Sequence, residues 1–182
     1  MEGSKDMNIN IRQETPADYQ AVAKVIEAAF KNEPFRDQQE HFLVERLRKS
    51  DAFIPELSLV AEMNGEIVGH ILLTKIKIKN EQESFDSLAL APVSVKPDYQ
   101  KKGIGSQLIQ TAHFLAKAMG FKSIVLLGHK DYYPKFGYEL TSKYDIHLPF
   151  DVPEENCMVL ALIEGGLKEV NGVVVYADAF FE

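Results

Sequence analysis

The spacing of hydrophobic residues in the first third of the chain predicts helices. From Tyr19 to Phe30 apolar side chains recur every three or four positions, which is typical of an amphipathic helix. The preceding segment Thr15-Pro16-Ala17-Asp18 supplies a hydroxyl cap, a proline and an acid, the usual start of a helix. A second amphipathic helix is predicted over residues 37–49, and a short strand over residues 8–12.

From Leu57 the hydrophobic period changes to two, which predicts strands. Alternation runs to Asn64-Gly65, a dipeptide that favours a type I′ turn, and resumes over residues 67–78, so the two strands form an antiparallel hairpin. In the next strand, over residues 85–95, the apolar side chains change parity around Pro92. Such a slip of phase predicts a β-bulge.

The second half of the chain begins with a strand, helix and strand in succession. A helix is predicted over residues 103–119, where apolar residues follow one face up to Gly120. The continuous apolar run 123–127 is typical of a strand buried in a parallel sheet. The strand, the helix and this second strand are therefore predicted to form a crossover unit with two parallel strands. A helical turn is predicted at residues 131–135, followed by strands around Tyr138 and over residues 158–163 and 173–176.

Composition narrows the class of protein. The chain has 182 residues, of which 46% are hydrophobic, enough for a single domain over residues 8–182. Residues 1–7 are polar and are interpreted as a flexible leader. No apolar run approaches the roughly 20 residues of a membrane-spanning helix, and no secretory signal is visible, so a cytoplasmic protein is expected. The single cysteine, Cys157, is interpreted as a small buried hydrophobe.

The formal net charge of −7 argues against binding to nucleic acid, which usually needs a basic face. It favours a cationic or neutral partner.

The turn Gln100-Lys101-Lys102-Gly103-Ile104-Gly105 lies between a predicted strand and a predicted helix. The first N–H groups of a helix have no intrahelical acceptor and lie at the positive end of the helix dipole, so the turn is a candidate anion site. Gly103 and Gly105 lack a Cβ and allow a phosphate close to the backbone, while the Ser106 hydroxyl can add a donor. Lys101 and Lys102 raise the local positive potential.

Two nucleotide motifs fit this turn poorly. A Walker loop needs the pattern G-x-x-x-x-G-K-S/T, which is absent here, and Leu108 stands where a dinucleotide motif has its third glycine. A capped turn without any ligand remains an alternative for these residues.

With the strand before it, the turn resembles the signature of the GCN5-related N-acetyltransferase (GNAT) superfamily. That signature is Arg/Gln-x-x-Gly-x-Gly/Ala after a strand written V-x-V, and here Val93-Ser94-Val95 is followed by the segment Gln100 to Gly105. The resemblance implies an α/β (α+β) fold: a mixed, mostly antiparallel twisted sheet whose central parallel strand pair is splayed by a bulge, with helices on both faces. It also implies acetyl-coenzyme A as cosubstrate, with pantetheine amides on Val93, Ser94 and Val95 and the pyrophosphate on Lys101 to Ser106.

A second resemblance lies at residues 129–138, which are similar to the family's Y-x-x-x-G-F/Y segment with Tyr133 at the tyrosine. Residues 127–140 and 165–181 resemble the YhbS-like subgroup. Many relatives place an asparagine before this tyrosine to contact the cofactor, whereas this chain has Asp131 and His129, so that contact is left open.

The resemblance implies an N-acetyltransferase that passes an acetyl group to a primary amine of a small molecule or peptide, by direct attack in a ternary complex. The Val93 N–H is the implied oxyanion donor, and Tyr133 is the candidate partner of the leaving thiolate. A thiol has a pKa of about 8.5 and tyrosine one of about 10, so Tyr133 is expected to donate a hydrogen bond rather than transfer its proton completely.

No general base is assigned from the sequence. Glu62, Glu66 and Asp86 are carboxylates near the strands, although each is typical of a solvated face. The five histidines show no metal-ligand spacing, so no metal is predicted.

Three further points are left open. The same turn could serve a non-catalytic acyl-coenzyme A binding module or a protein that binds ATP or NAD. Phe30, Phe35 and Phe42 could line an acceptor cleft, but are interpreted as core residues. Both a monomer and a homodimer fit the sequence.

Overall fold

The computed structural model describes residues 8–31 and 40–181. Over these ranges three α-helices and nine strands are present. The helices are α1 (Tyr19–Phe30), α2 (Glu40–Arg48) and α3 (Ile104–Ala118). The strands are β1 (Ile9–Gln13), β2 (Phe53–Met63), β3 (Glu66–Lys79), β4 (Ser84–Val95), β5 (Ser123–Leu127), β6 (Glu139–Leu140), β7 (Ile146–His147), β8 (Cys157–Ala161) and β9 (Gly172–Val175).

The described strands form one mixed sheet in the order β1-β2-β3-β4-β5-β8-β6. Strand β9 pairs with the last residues of β3 and also with β7. All neighbours are antiparallel except β4–β5 and β7–β9. The predicted fold class, a mostly antiparallel sheet with a central parallel pair, is therefore confirmed.

Helices cover both faces of this sheet because successive side chains of a strand point to opposite sides. On one face Val60 and Leu72 pack in a core with α1 and α2. On the other face Leu59 and Ile71 pack against α3. The 3.6-residue period of α3 places its buried side chains along a single stripe, which consists of Leu108, Ile109, Ala112 and Ala116.

The hairpin between β2 and β3 turns at the predicted dipeptide. Asn64 has φ of 53° and Gly65 has φ of 82°, so both central residues are left-handed, as a type I′ turn requires. Strand β2 begins at Phe53, earlier than the predicted Leu57, and its register shifts between Phe53 and Ser58. Pro55 lies inside that irregular stretch and offers no N–H, which explains why alternation did not reveal the strand there.

Three further predictions concern the second helix, the helical turn near Tyr133 and Cys157. The described part of the second helix begins at Glu40, and the predicted start at Asp37 lies outside the described residues. The turn predicted at residues 131–135 is a 3₁₀ helix over Tyr133–Phe136. Cys157 is 6% exposed, in agreement with its interpretation as a buried hydrophobe.

An ion pair fixes the entry to α1. Arg12 donates from its two terminal nitrogens to the two carboxylate oxygens of Asp18, at 2.8 and 3.0 Å. The Thr15 N–H donates to the same carboxylate at 2.8 Å, which closes the turn before the helix. Arg12 holds the pKa of Asp18 well below its usual range, while burial opposes the shift.

We expect Asp18→Asn to lower the free energy of unfolding at pH 7 by about 1–3 kcal/mol, the range for hydrogen bonds to charged groups. Because the folded-state pKa of Asp18 is depressed, its stabilisation is present above the unfolded pKa of about 3.9 and is lost as pH falls below it. Denaturant titrations of both proteins at pH 7 and pH 3 measure this, and the difference should shrink at pH 3. A difference that does not depend on pH would contradict the assignment.

Candidate functional site

The predicted bulge is present in β4. Ile71 of β3 pairs with Val93 and Leu73 pairs with Leu90, so two residue steps on β3 face three on β4. The additional residue lies in the segment Ala91-Pro92, where the sequence showed the change of parity.

Past this bulge the parallel strands β4 and β5 separate. In the described chain they pair at Leu88–Ile124 and Ala89–Val125, and at no residue beyond. Strand β5 continues beside β8, while β4 continues beside β3 as far as Val95. Residues 90–95 of β4 therefore have a sheet neighbour on one side and a gap on the other.

Backbone groups of Val93 and Val95 point into this gap. The Lys96 N–H donates to the Val68 carbonyl of β3 at 2.9 Å, and hydrogen-bonding direction alternates along a strand. Ser94 therefore bonds toward β3, whereas Val93 and Val95 face the other way. The Gln100 side-chain amide donates to the Val95 carbonyl at 3.0 Å, so this acceptor is already in use. The groups that remain directed into the gap are both backbone groups of Val93 and the N–H of Val95.

The N-terminus of α3 opens beside the same gap. Gly103 precedes the helix with φ of 86°, and no side chain caps the first N–H groups. A Cβ built on Gly105 would lie 3.2 Å from the Tyr132 hydroxyl and 3.8 Å from a methyl of Val95. The glycine therefore keeps the floor of the gap open next to unpartnered main-chain donors.

A single cleft of about 680 Å³ joins the gap, the helix N-terminus and the segment after β5. The predicted cofactor residues on its wall are Val93, Ser94, Val95, Gln100, Lys101, Gly103, Ile104, Gly105, Ser106 and Tyr133. Lys102 does not line the cleft, and its ammonium lies 5.7 Å from the centre of the Tyr99 ring.

Tyr133 is held tightly at the end of the gap. Its side chain is buried and makes edge-to-face contacts with the rings of Tyr132 and Tyr138. A Cβ built on Gly128 would lie 2.4 Å from Cε2 of Tyr133, so the ring rests directly against the glycine. The absence of a side chain at residue 128 therefore sets the position of the Tyr133 hydroxyl.

We expect Gly128→Ala to displace the Tyr133 ring, lowering the free energy of unfolding by about 1–3 kcal/mol, as is typical of overpacking. Any catalytic rate that depends on the Tyr133 hydroxyl should fall by roughly tenfold or more, because small misplacements of a reacting group are costly. Steady-state rates of Gly128→Ala, Tyr133→Phe and the double variant measure this. If the glycine acts through Tyr133, the two effects should not add.

A second layer of polar aromatic groups lies behind Tyr133. His113 of α3 is hydrogen-bonded through Nε2 to the Tyr138 hydroxyl at 2.9 Å. Burial lowers the pKa of His113 to about 4 and raises that of Tyr138, so both groups are neutral at pH 7. His113 and Tyr138 therefore pack behind the cleft as neutral side chains.

Several cleft residues escaped the sequence reasoning. Tyr132 and Lys135 line the cleft, and the Lys135 ammonium lies 4.2 Å from the centre of the Tyr132 ring. Both residues lie within two positions of Tyr133 in one short turn, so their closeness to this candidate in the sequence could have predicted that they line the cleft. Of the two residues left open, His129 lines the cleft and Asp131 does not.

At its other end the cleft is walled by α1 and α2. Ala29, Glu40 and Leu43 line this end together with Phe30, which also packs against the core of that face. Phe42 is 45% exposed and lies away from the cleft, so its interpretation as a core residue is wrong. Phe35 lies outside the described residues.

The three carboxylates considered as bases do not line the cleft. Glu62 pairs with Arg12, Glu66 pairs with Lys96, and Asp86 pairs with Lys77, all at the surface or part-buried.

Within the described ranges, no group of three or more His, Cys, Asp or Glu side chains could hold a metal ion. None of the helices in the part of the chain that the structure describes is both long and apolar enough to cross a membrane.

Known proteins share this architecture. A family model described as an acetyltransferase (GNAT) domain matches residues 10–141. YjhQ of Escherichia coli K12, named an uncharacterized N-acetyltransferase, is 34% identical over 147 residues, which cover 79% of this chain and 81% of YjhQ. YhbS of the same strain, also named an uncharacterized N-acetyltransferase, is 27% identical over 171 residues, covering 93% of this chain and 97% of YhbS.

Two solved structures are similar over almost the whole chain. A GNAT family acetyltransferase from Brucella melitensis, solved in complex with acetyl-CoA, has a TM-score of 0.77 and 31% identity, and the match covers 95% of this chain and 98% of that one. The crystal structure of E. coli YhbS in complex with CoA has a TM-score of 0.85 and 24% identity, covering 96% of this chain and 92% of that one.

Proposed function

The chain belongs to the GNAT acetyltransferase family, and from that premise we propose that it transfers the acetyl group of acetyl-coenzyme A to a primary amine of a small molecule or peptide. The observation that supports this most directly is the separation of β4 from β5 after Ala89, beside the uncapped N-terminus of α3. Both features open into one cleft.

Acetyl-coenzyme A would lie in this cleft with its pyrophosphate at the N-terminus of α3 and its pantetheine arm along β4. Its pyrophosphate would lie on the N–H groups from Gly103 to Ser106, where the helix dipole and Lys101 favour an anion. Its pantetheine arm would follow β4 and pair with the backbone of Val93 and the N–H of Val95 in the manner of an added strand. The Brucella melitensis relative, solved with acetyl-CoA, supports this choice of ligand.

The thioester would then lie near Val93 and Tyr133. As the amine attacks, the carbonyl oxygen gains negative charge, which the Val93 N–H can stabilise by a hydrogen bond. The new C–N bond forms, the C–S bond breaks, and the sulfur leaves as a thiolate. The Tyr133 hydroxyl is positioned to donate a hydrogen bond to that sulfur, and attack proceeds directly in a ternary complex.

The amine would enter from the end of the cleft walled by α1 and α2. Ala29, Phe30 and Leu43 make this end largely apolar, and Glu40 adds a carboxylate. The net charge of −7 attracts cations in general. Both features favour a cationic acceptor with an apolar portion.

Thiol release from acetyl-coenzyme A in the presence of an amine panel tests the proposal. The panel contains peptides, polyamines and aminoglycosides, and turnover with at least one class is expected. Calorimetric titrations with coenzyme A, ATP and NAD accompany it, and binding of coenzyme A alone is expected. Coenzyme A binding without turnover across the panel would instead favour a non-catalytic acyl-coenzyme A module. Binding of ATP or NAD without coenzyme A would overturn the proposal.

A further inference from the structure

A cluster of buried polar side chains lies under α1 and α2 and has no part in the chemistry described above. Glu14, Ser58 and His70 have side chains that are 2% exposed or less, and Arg48 of α2 joins them. Arg48 donates to Glu14 at 2.5 Å, and Ser58 donates to the other oxygen of Glu14 at 2.7 Å. Nε2 of His70 lies 3.2 Å from the Ser58 hydroxyl and 3.6 Å from Glu14.

These contacts determine where His70 carries its proton. A hydroxyl has one hydrogen, and that of Ser58 is given to Glu14. The Ser58 oxygen must therefore accept a hydrogen bond from His70 Nε2, which carries the proton in the neutral ring. Nδ1 of His70 is left with a lone pair.

The lone pair lies beside the cleft residue Ser94. His70 and Ser94 are register partners across β3 and β4, and partners on adjacent strands point to the same face of the sheet. The Lys96–Val68 hydrogen bond makes His70–Ser94 a hydrogen-bonded pair, whose Cα atoms lie about 5.5 Å apart. The Ser94 hydroxyl and His70 Nδ1 therefore belong to side chains that are neighbours on one face of the sheet.

Among the described residues, His70 Nδ1 and Ser94 Oγ are both buried and have no hydrogen-bond partner. An unsatisfied buried polar atom destabilises the fold, so two such atoms on neighbouring residues call for a reason. Ser94 also lines the cleft, so this residue lies between the cleft and the buried cluster.

The surroundings keep His70 neutral at physiological pH. Burial lowers its pKa to about 4, Glu14 opposes that shift, and Arg48 adds to it. Glu14 and Arg48 are the charged groups that face the ring in the described structure. The helix α1 contributes apolar Val22 and Ile26 on this side.

We propose that Ser94, His70 and Glu14 form a relay that accepts the proton of the attacking amine. This inference rests on the proposed acetyltransferase function. As the amine nitrogen bonds to the carbonyl carbon, its proton passes to the Ser94 oxygen while the Ser94 hydroxyl proton passes to His70 Nδ1. The imidazolium so formed donates from Nε2 toward Glu14, and the thiolate leaves with the electrons of the C–S bond.

A neutral imidazole suffices for this step. Once the nitrogen is bonded to the carbonyl carbon, its N–H is far more acidic than that of a free ammonium group. Glu14 stabilises the transient positive charge, and the hydrogen bonds from Arg48 hold the Glu14 carboxylate in place. In this relay Ser94 takes the proton from the substrate and is the catalytic residue, whereas His70 and Glu14 act through it. The step requires the buried Ser94 hydroxyl to turn toward the cleft.

Ser94→Ala tests the relay, with Ser94→Thr as the matched variant that keeps a hydroxyl. We expect Ser94→Ala to lower kcat by about 10- to 100-fold. This loss is smaller than the usual contribution of about 10²- to 10⁴-fold from general acid–base catalysis, since water replaces part of the action of Ser94. The KM for acetyl-coenzyme A should stay within about twofold, because the backbone of β4 makes the proposed cofactor contacts. Ser94→Thr should retain most of the rate.

His70→Gln gives a second measurement. Its side-chain amide can replace the Nε2 contact with Ser58 but offers no lone pair at the position of Nδ1, so a similar loss in kcat is expected. For both variants the ratio of wild-type to variant rate should narrow between pH 7 and pH 9, because hydroxide takes over removal of the proton. A packing defect would give a ratio independent of pH. If His70→Gln fails to fold, the kcat of Ser94→Ala and its pH dependence alone test the relay.

Three outcomes would overturn the relay: an unchanged kcat in Ser94→Ala, a rate ratio that is flat with pH, or an acetyl group found by mass spectrometry on Ser94 of the wild-type protein. Wild-type turnover and calorimetric binding of coenzyme A are measured in parallel. If the wild-type protein shows no turnover, the proposed function fails. If the wild-type protein and both variants are fully active, the relay is wrong and the proposed function stands.

Discussion

Tyr133→Phe is expected to lower kcat by about 10²- to 10⁴-fold, the usual contribution of general acid assistance. The hydroxyl lost is the one that we propose to meet the leaving sulfur, at the end of the gap between β4 and β5. Because the ring is packed against Gly128 and the Tyr132 and Tyr138 rings, phenylalanine should occupy the same position. Affinity for acetyl-coenzyme A should therefore change by less than about threefold, since no pyrophosphate contact is lost.

Tyr132→Phe is the matched control, because it removes a second hydroxyl from the same cleft. That hydroxyl lies next to Gly105 at the helix N-terminus and away from the proposed sulfur position. We expect it to alter coenzyme affinity modestly and to leave kcat within a few-fold of wild type. Single-turnover rates and calorimetry separate the two effects. Equal losses of kcat in both variants would remove Tyr133 from its proposed role.

Gly105→Val is expected to weaken coenzyme A binding by more than about 100-fold. A Cβ at residue 105 already meets the Tyr132 hydroxyl at 3.2 Å, and the added methyl groups would extend into the space above the first N–H groups of α3. Loss of even two charge-assisted hydrogen bonds to a phosphate, at about 1.5–3 kcal/mol each, accounts for a change of this size. Calorimetric titration measures the affinity.

Two companion variants distinguish steric exclusion from damage to the helix. Gln107→Val introduces the same side chain in the same helical turn at an exposed position outside the cleft, so binding should be unchanged. Gly105→Ala should stabilise the fold by about 0.5–1 kcal/mol, since residue 105 is helical and glycine disfavours helices. It should nevertheless weaken binding. A Gly105→Val protein that binds coenzyme A normally would place the pyrophosphate elsewhere.

The parts of this site that the sequence predicted are those encoded by neighbouring residues. Asn64-Gly65 specifies a tight turn by its own conformational preference, and the apolar stripe of α3 is visible within the helix itself. The parity slip at Pro92 indicated the bulge because alternation is counted along one strand. The turn at Gly103 is equally local, since strand, glycine and helix follow one another directly.

What the sequence could not predict depends on contacts between distant segments. Glu14, Arg48, Ser58 and His70 come from separate elements, and only the folded sheet brings them together. Each is an ordinary polar residue in its own stretch of sequence. Likewise, no residue near Val95 indicated that the Gln100 side-chain amide would donate a hydrogen bond to the Val95 carbonyl. The wall formed by α1 and α2 depends on how helices pack on a sheet, which periodicity does not specify.

The two register pairs that join β4 to β5 make the stability of the fold sensitive to a bound ligand. They are the parallel connection between the half of the sheet built from β1 to β4 and the half that contains β5, β8 and β6. A molecule bound across the opening would fasten the halves together, and a ligand at 100 times its Kd adds about 2.7 kcal/mol to folding stability. Resistance to proteolysis would then rise and fall with the supply of cosubstrate.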